Sequence, residues 1–209
     1  MTTLKLLILD RDGTINADSD DFVKSPEEWL PLPGALEAIA RLNHAGWHVV
    51  IASNQSGLGR GLFDVGALNA MHAKMHKMLA AVGGRVDAVF YCPHSPDEVC
   101  VCRKPLPGLF DQIGLRFGVS LQGVPACGDS LRDVLAARAA GCEAHLVLSG
   151  KSAAFAGSQP PGLPEGTRVH RDLAAFADHL IERDAVAQAA PLAPSIQAGS
   201  TLSSAPGPG

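Results

Sequence analysis

Short apolar segments alternate with segments of helical periodicity along this chain, and that alternation limits its fold more than any other feature. The apolar runs predict strands at 4–9, 48–53, 86–91, 124–127 and 143–148. Helices are predicted at about 35–46, 64–82, 108–117, 131–141 and 172–183. Strands that alternate with helices in this way predict an α/β fold, a Rossmann-like parallel sheet with helices on both faces.

The composition changes near residue 185, which sets the predicted domain boundary. A chain of 209 residues with 46% hydrophobic residues suits one globular domain with a sizeable core. Beyond Asp184 the residues are mostly Ala, Pro, Ser and Gly, which bury too little apolar surface to offset the entropy lost on ordering. We therefore predict a domain over 1–184 and a disordered tail over 185–209.

Charge and hydropathy exclude several classes of partner. The formal net charge is -4 and no basic block is present, so we expect no nucleic acid or anionic membrane as a partner. No apolar run reaches the roughly 18 residues that span a bilayer. The apolar N-terminal run lacks a small-residue cleavage site, which predicts a cytoplasmic protein. No coiled-coil seam is visible, and we expect a monomer.

Polar side chains stand where several predicted strands end. Asp10 and Asp12 follow the first strand, and Asp129 follows the fourth. In parallel sheets ligands bind beyond the carboxyl ends of the strands. Two neighbouring carboxylates could divide the work of nucleophile and proton carrier, and Mg²⁺ prefers such hard oxygen ligands. The alternative, that Asp10 and Asp12 only begin a turn, is weakened by the other strand-end residues.

Two further features suit a phosphate group. The segment 53–57 offers a hydroxyl, backbone N–H groups and a glycine, which could cradle phosphate oxygens. Lys104 stands just before a predicted helix and could supply a cation. Each feature is weak alone, because such turns are common and a single lysine is usually a surface charge.

Cysteines cluster in one predicted loop. Five are present, an odd number that argues against a disulfide framework, and Cys92, Cys100 and Cys102 lie within eleven residues together with His94. Three thiolates and one imidazole form a complete tetrahedral set for a structural Zn²⁺ ion. The alternative is a loop of free cysteines with an exposed histidine. Cys127 and Cys142 lie in apolar contexts and are predicted to pack in the core.

Together these motifs resemble the haloacid dehalogenase-like phosphatase superfamily. The first motif, DxDGT, stands at Asp10–Thr14, the second at Ser53, the third at Lys104 and the fourth, GDxxxD, at Gly128–Asp133. The resemblance implies that Asp10 attacks phosphorus to form a phosphoaspartate, and that Asp12 protonates the leaving oxygen and then activates water. It also implies Mg²⁺ at Asp10, the Asp12 backbone carbonyl and Asp129, phosphoryl contacts from Ser53 and Lys104, and a supporting role for Asp133.

The spacing of the motifs also implies a narrower group. About 40 residues separate the first two motifs and about 50 the next two, which leaves no room for a large cap domain. The pattern CPHxPxxxCxCRKPxPG over 92–108 resembles the D-glycero-D-manno-heptose 1,7-bisphosphate 7-phosphatases and the related histidinol-phosphatase domains. This implies a capless fold with a zinc loop at 92–102, and removal of a sugar 7-phosphate during the synthesis of ADP- or GDP-heptose for the lipopolysaccharide core.

The same resemblance implies a set of substrate contacts. They are Asp18, Ser19, Asp20, Asp21, Ser53, Asn54, Gln55, Ser56, Arg103, Lys104 and Ser130. The chain departs from some relatives in its short interval between His94 and Cys100, and in carrying Ser130 where some carry a lysine. Arg60 could reach a distal phosphate, although a surface charge is the simpler interpretation.

Two other functions stay open at this point. A histidinol-phosphate phosphatase would use the same chemistry. A zinc-stabilised binding protein with a degenerate, non-catalytic core would fit better if Asp10, Asp12, Lys104 or Asp129 were missing, and all four are present.

Overall fold

A computed structural model describes residues 4–156 and 158–189. Its centre is a parallel sheet of six strands in the order β3-β2-β1-β4-β5-β6. The strands are β1 (Leu6–Leu9), β2 (His48–Asn54), β3 (Ala88–Cys92), β4 (Pro125–Gly128), β5 (Glu143–Val147) and β6 (Arg168–His170). The helices are α1 (Ala35–His44), α2 (Ser56–Gly59), α3 (Val65–Ala81), α4 (Gly108–Phe117), α5 (Leu131–Ala139) and α6 (Leu173–Ala189), with a 3₁₀ helix at Gly150–Phe155.

The core forms two layers because the sheet is covered on both faces. Successive residues of a strand point to opposite faces. Leu7 and Leu9 of β1 accordingly join the cluster under α1, α3 and α6. Leu6 and Ile8 join the cluster under α4 and α5. All four residues of β1 are buried, which explains why its sequence is a continuous apolar run rather than an alternating one.

The predicted α/β class is confirmed, and two details differ from the prediction. β6 was not predicted, because its three residues, Arg-Val-His, form no apolar run. The last helix extends to Ala189, five residues beyond the predicted end of the domain at Asp184. Residues 185–189 are Ala-rich, and alanine readily extends a helix that has already formed. The rest of the predicted tail, 190–209, lies outside the described residues.

The strand order reverses beside β1, and this creates the place for a site. β2 and β3 lie on one side of β1, while β4, β5 and β6 lie on the other. At such a switch point the loops after the two central strands diverge and leave a crevice. Leu9 lies beside Cys127 in the register, and the Asp10 N–H donates to the Cys127 carbonyl at 2.9 Å. The residues that follow β1 and β4 therefore meet at one edge of the sheet.

Helices in the described part of the chain are too short or too polar for a membrane span.

Candidate active site

Three carboxylates converge at the switch point. Asp10, Asp129 and Asp133 each place one oxygen within 4.8 Å of the others. Gly13 and Gly150 allow this approach, since a Cβ atom on either residue would overlap the Asp129 carboxylate. Both glycines also have positive φ, 83° and 50°, which a side chain would disfavour. The glycine of the first motif is thus required by contact as well as by backbone conformation.

The carboxylate environment fits a divalent cation. Burial, together with the charges of Asp133 and Asp12, raises the pKa of Asp10 to about 7, although Lys104 opposes the shift. Burial and the charges of Asp10 and Asp133 raise the pKa of Asp129 to about 8. Hard carboxylate oxygens gathered in a buried, strongly anionic volume are a donor set suited to Mg²⁺, which would offset this repulsion.

Lys104 lies inside the carboxylate group. Its Nζ is 2.8 Å from Asp10 Oδ1 and 2.5 Å from Asp133 Oδ1, and it donates to the Ala52 carbonyl at 2.7 Å. Burial opposes the ammonium form, but the two carboxylates outweigh it and raise the pKa of Lys104 above its usual value. Lys104 therefore stays charged although only 3% of its side chain is exposed.

Asp133 and Ser130 are engaged with each other at the start of α5. Asp133 Oδ2 accepts from the Ser130 N–H at 3.0 Å and from the Ser130 hydroxyl at 2.5 Å, which forms a capping box. Both Asp133 oxygens are thus occupied, one by Lys104 and one by Ser130. Ser130, a predicted substrate contact, has no proton left to donate to a phosphate oxygen in this arrangement.

Asp12 is held by donors on all sides. Arg11 Nη2 lies 2.9 Å from both of its oxygens, Asn16 Nδ2 lies 2.8 Å from Oδ1, and Gln55 Nε2 lies 2.7 Å from Oδ2. Burial alone would raise the pKa of Asp12, but the Arg11 charge and these hydrogen bonds outweigh it and lower the pKa below its usual value. Asp12 is therefore an ionised, fixed carboxylate in the free protein.

Of the residues at and after the end of β2, some could contact phosphate directly and others hold neighbouring site residues in place. The Ser53 hydroxyl accepts from Gln55 Nε2 at 2.8 Å, which leaves its own proton free for a phosphate oxygen. Asn54 exchanges two hydrogen bonds of 3.0 Å with the backbone of Lys104. The Gln55 side chain donates hydrogen bonds to Asp12 and Ser53 and accepts one from Arg11. Asn54 and Gln55, predicted as substrate contacts, thus hold neighbouring site residues in place.

The site opens into a cleft of about 290 Å³. Every predicted catalytic or substrate-contacting residue lines it except Asp21, which is exposed outside the cleft. The Asp21 N–H donates to the Ser19 hydroxyl in a local turn, so the chain reverses there and Phe22 lines the wall instead. Sequence reasoning missed the lining residues Phe22, Val23, Pro96, Arg132 and Lys151.

Three arginines line the cleft on the side of the predicted zinc loop. They are Arg60, Arg103 and Arg132. Burial and the positive charges of Arg132 and Arg60 lower the pKa of Arg103, so the three guanidinium groups act on one another. Within 4–156 and 158–189 none of them forms an ion pair with a carboxylate. This wall is a cationic surface available to an anion.

The geometry of the cysteine cluster fits zinc. Cys92 Sγ lies 3.8 Å from Cys100 Sγ, and His94 Nδ1 lies 3.4 Å from Cys92 Sγ and 3.3 Å from Cys102 Sγ. A tetrahedron with Zn–S near 2.3 Å and Zn–N near 2.0 Å has edges of about 3.8 Å and 3.5 Å. All the cysteines are free thiols. The four predicted ligands could therefore enclose one Zn²⁺ ion directly before Arg103 and Lys104.

Comparisons with known proteins agree with this site. The family model described as HAD-hydrolase-like matches residues 101–176, and the model described as polynucleotide kinase 3 phosphatase matches residues 5–125. A D-glycero-β-D-manno-heptose-1,7-bisphosphate 7-phosphatase of Bordetella bronchiseptica is 60% identical over 86% of this chain and 99% of its own length. Another, from Pseudomonas aeruginosa, is 51% identical over 85% of this chain and 98% of its own length.

Solved structures give the same result. The D,D-heptose 1,7-bisphosphate phosphatase of B. bronchiseptica, complexed with magnesium and phosphate, matches with a TM-score of 0.82 over 86% of this chain and 99% of that one. The corresponding enzyme of Burkholderia thailandensis, 51% identical, matches with a TM-score of 0.66 over 85% and 98%. The chain therefore belongs to the HAD-like phosphatases and, within them, to the family of the D-glycero-β-D-manno-heptose-1,7-bisphosphate 7-phosphatases.

Proposed function

We propose that this chain hydrolyses the 7-phosphate of D-glycero-β-D-manno-heptose 1,7-bisphosphate through a phosphoaspartate at Asp10. One observation carries the proposal: a buried carboxylate–lysine centre faces the same cleft as an arginine wall that forms no ion pair among the described residues. The first suits the phosphate that reacts, and the second suits the phosphate that stays. The named relatives and the neighbour complexed with magnesium and phosphate support this substrate class.

The first step forms the bond between Asp10 and phosphorus. As Asp10 attacks in line, the bond from phosphorus to the C7 oxygen breaks, and Asp12 gives that oxygen a proton. Asp12 is ionised in the free protein, and the negative charge of a bound phosphate would raise its pKa and favour the proton it must carry. Lys104 and the Ser53 hydroxyl hold phosphoryl oxygens, so that positioning and charge neutralisation supply the catalysis.

The second step releases phosphate and restores Asp10. Asp12, now a carboxylate again, takes a proton from water, which attacks phosphorus and breaks the bond to Asp10. Asp10 and Asp129, with the Asp12 backbone carbonyl, would hold Mg²⁺, which supplies positive charge to the phosphoryl group. Arg11, Asn16 and Gln55 keep Asp12 in place through both steps.

The arginine wall favours a bisphosphate over histidinol phosphate. Arg60, Arg103 and Arg132 present positive charge without carboxylate partners among the described residues. A second phosphate would be attracted to this surface, and an arginine can bind its oxygens through two parallel hydrogen bonds. The protonated amine of histidinol phosphate would be repelled. We place the reaction in the cytoplasmic synthesis of activated heptose for lipopolysaccharide, with the chain acting as a monomer.

Steady-state kinetics on both substrates tests the proposed function. The purified protein with Mg²⁺ should show a kcat/KM for the β-heptose bisphosphate at least about a hundredfold above that for histidinol phosphate, since one phosphate contact contributes a few kcal/mol. The α anomer of the heptose bisphosphate serves as a matched control substrate, because it carries the same two phosphates on the same sugar. Faster turnover of histidinol phosphate would contradict the proposal.

A further inference from the structure

The segment 149–151 is fixed against the carboxylate site by its backbone. The Ser149 hydroxyl donates to the Gly13 carbonyl at 2.7 Å, and the Lys151 N–H donates to Asp129 Oδ2 at 2.5 Å. Gly150, with φ of 50°, packs so closely that a Cβ atom would overlap both Asp129 and Gly13. The backbone of Lys151 is therefore placed by Asp129, a predicted magnesium ligand, and by Gly13 of the first motif.

The side chain of Lys151 extends in another direction, to the loop at 18–22 that lines the cleft. Its Nζ lies 2.6 Å from Asp20 Oδ1 and 3.0 Å from Asp18 Oδ2. Hydrogen bonds to Asp20 and Asp18 raise the pKa of Lys151, so the ammonium form persists. Lys151 thus connects the carboxylate site with the loop at 18–22.

Few other contacts hold that loop. The Ser19 N–H donates to Asp18 Oδ1, the Asp21 N–H to the Ser19 hydroxyl and the Phe22 N–H to the Ser19 carbonyl, all within the loop. Within the described residues, the hydrogen bonds and ion pairs that join 18–21 to a residue outside the loop are all formed by Lys151. At the other end of the loop the Arg60 guanidinium lies over the Phe22 ring, 5.6 Å from its centroid. The position of the Asp18 and Asp20 carboxylates relative to the cleft therefore depends on Lys151.

Charge adds a second reason for a cation here. Asp18, Asp20 and Asp129 line the same cleft, so their negative charges repel one another. A phosphate dianion entering the cleft meets Asp18 and Asp20 in addition to Asp10, Asp12 and Asp129. The ammonium of Lys151 offsets the first two, so that their oxygens can accept hydrogen bonds from sugar hydroxyls without repelling the phosphate.

We infer that Lys151 is a positioning residue for recognition of the sugar. It holds Asp18 and Asp20 where they face the heptose, while its own backbone N–H holds Asp129. This inference rests on the proposed function. The hydrogen bond from the Lys151 N–H to Asp129 does not depend on the side chain. We therefore expect the side chain to affect substrate affinity and the backbone N–H to affect the position of Asp129.

Kinetics of Lys151→Met tests the inference, with Lys151→Arg as the conservative variant. KM for the β-heptose bisphosphate should rise at least about tenfold in Lys151→Met, while kcat falls less, because a mispositioned contact mainly weakens binding. Lys151→Arg should restore most of the affinity. The Mg²⁺ concentration for half-maximal rate should stay within about twofold of wild type, as the N–H remains. Lys77→Met, an exposed lysine of α3, is the matched control.

A double-mutant cycle shows whether Lys151 acts through its two partners. In an Asp18→Asn/Asp20→Asn background, adding Lys151→Met should change KM by less than about threefold, since coupled residues are not additive. An equal effect in both backgrounds would overturn the inference.

Hydrogen exchange gives a readout that does not depend on the substrate. Amides at 18–22 should exchange faster in Lys151→Met than in wild type or Lys77→Met. Unchanged exchange would overturn the inference even if the protein proved inactive on the heptose bisphosphate. Inactivity of the wild-type protein on that substrate, with faster exchange in Lys151→Met, would instead count against the proposed function alone.

Discussion

Asp10 and Asp12 are two residues apart and have opposite electrostatic surroundings. Asp10 is buried among carboxylates and its pKa is raised, whereas Asp12 is surrounded by donors and its pKa is lowered. The two carboxyl groups can therefore take different roles, and a Mg²⁺ ion held by Asp10 would favour the ionised form of Asp10 that attacks phosphorus. Lys104 bridges Asp10 to Asp133 and keeps the nucleophile oriented.

The four residues to which we assign the chemistry were proposed from the sequence, whereas the residues that hold them in place were not. Asp10, Asp12, Lys104 and Asp129 follow strands or a fixed loop, so their spacing is visible in the sequence. Arg11 was missed because a charged residue between two aspartates looks solvated, yet it is 1% exposed. A charge so deeply buried needs a partner, and only the fold shows that Asp12 is that partner.

His145 is a residue outside the site that controls stability in acid. It is fully buried, its Nδ1 lies 2.9 Å from His170 Nε2, and Phe176 and His179 pack against its ring. Burial and the positive charges of His170, His179, Arg183 and Arg168 lower the pKa of His145 to about 2. Glu143, whose Oε1 lies 3.6 Å from His145 Nε2, is the facing carboxylate.

This pKa predicts a loss of stability as the pH falls. The unfolded chain protonates this histidine below about pH 6.5, and the folded chain does not until far lower pH, so stability is complete above 6.5 and declines below it. One such group costs about 1.4 kcal/mol per pH unit. Urea unfolding between pH 7 and pH 5 should show a shallower decline in His145→Gln than in wild type or in the exposed-site control His76→Gln. Identical slopes would contradict the assignment.

The cysteine loop is the element that the sequence described most completely, since all four candidate zinc ligands lie within 92–102. The spacing of these residues was enough to propose a zinc site, whereas the placement of Arg103 beside the cleft is visible only in the fold. Shorter elements were less visible. β6 has three residues and the 3₁₀ helix at Gly150–Phe155 has six, and both are held by neighbouring segments rather than by a periodic pattern of their own. The contact from Lys151 to the loop at 18–22 could not be predicted either, because it joins segments far apart in the sequence.

Removal of one zinc ligand should disturb the arginine wall. Wild-type protein should contain about one zinc ion per chain by elemental analysis, as a closed four-ligand site predicts. Cys100→Ser should lose the metal and raise KM for the bisphosphate at least about tenfold, because Arg103 and Lys104 follow the loop directly. The buried Cys142, outside the cluster, provides the control Cys142→Ser, which should keep its zinc. A zinc-free Cys100→Ser protein with wild-type KM would contradict this role.

At the scale of the molecule, the parallel sheet explains why residues far apart in sequence form one site. Asp10 and Asp129 follow β1 and β4, and Ser53 lies at the end of β2. These three adjacent strands have their carboxyl ends at one edge of the sheet. The alternation of strands and helices predicted a parallel sheet and five of its six strands, but neither β6 nor the strand order. The shape of the cleft was not predictable, because its walls come from the loop at 18–22, from Arg60 after α2 and from the start of α5 at 130–132, whose approach depends on tertiary packing.

The central claim is that Asp10 is the nucleophile of a sugar-bisphosphate phosphatase, and turnover by Asp10→Asn tests it most directly. The variant should lose at least roughly a thousandfold in kcat, because an amide cannot attack phosphorus. It should still bind inorganic phosphate, measured calorimetrically with Mg²⁺ present, and the exposed α4 control Asp111→Asn should keep wild-type turnover. Full activity of Asp10→Asn on the β-heptose bisphosphate would contradict the account.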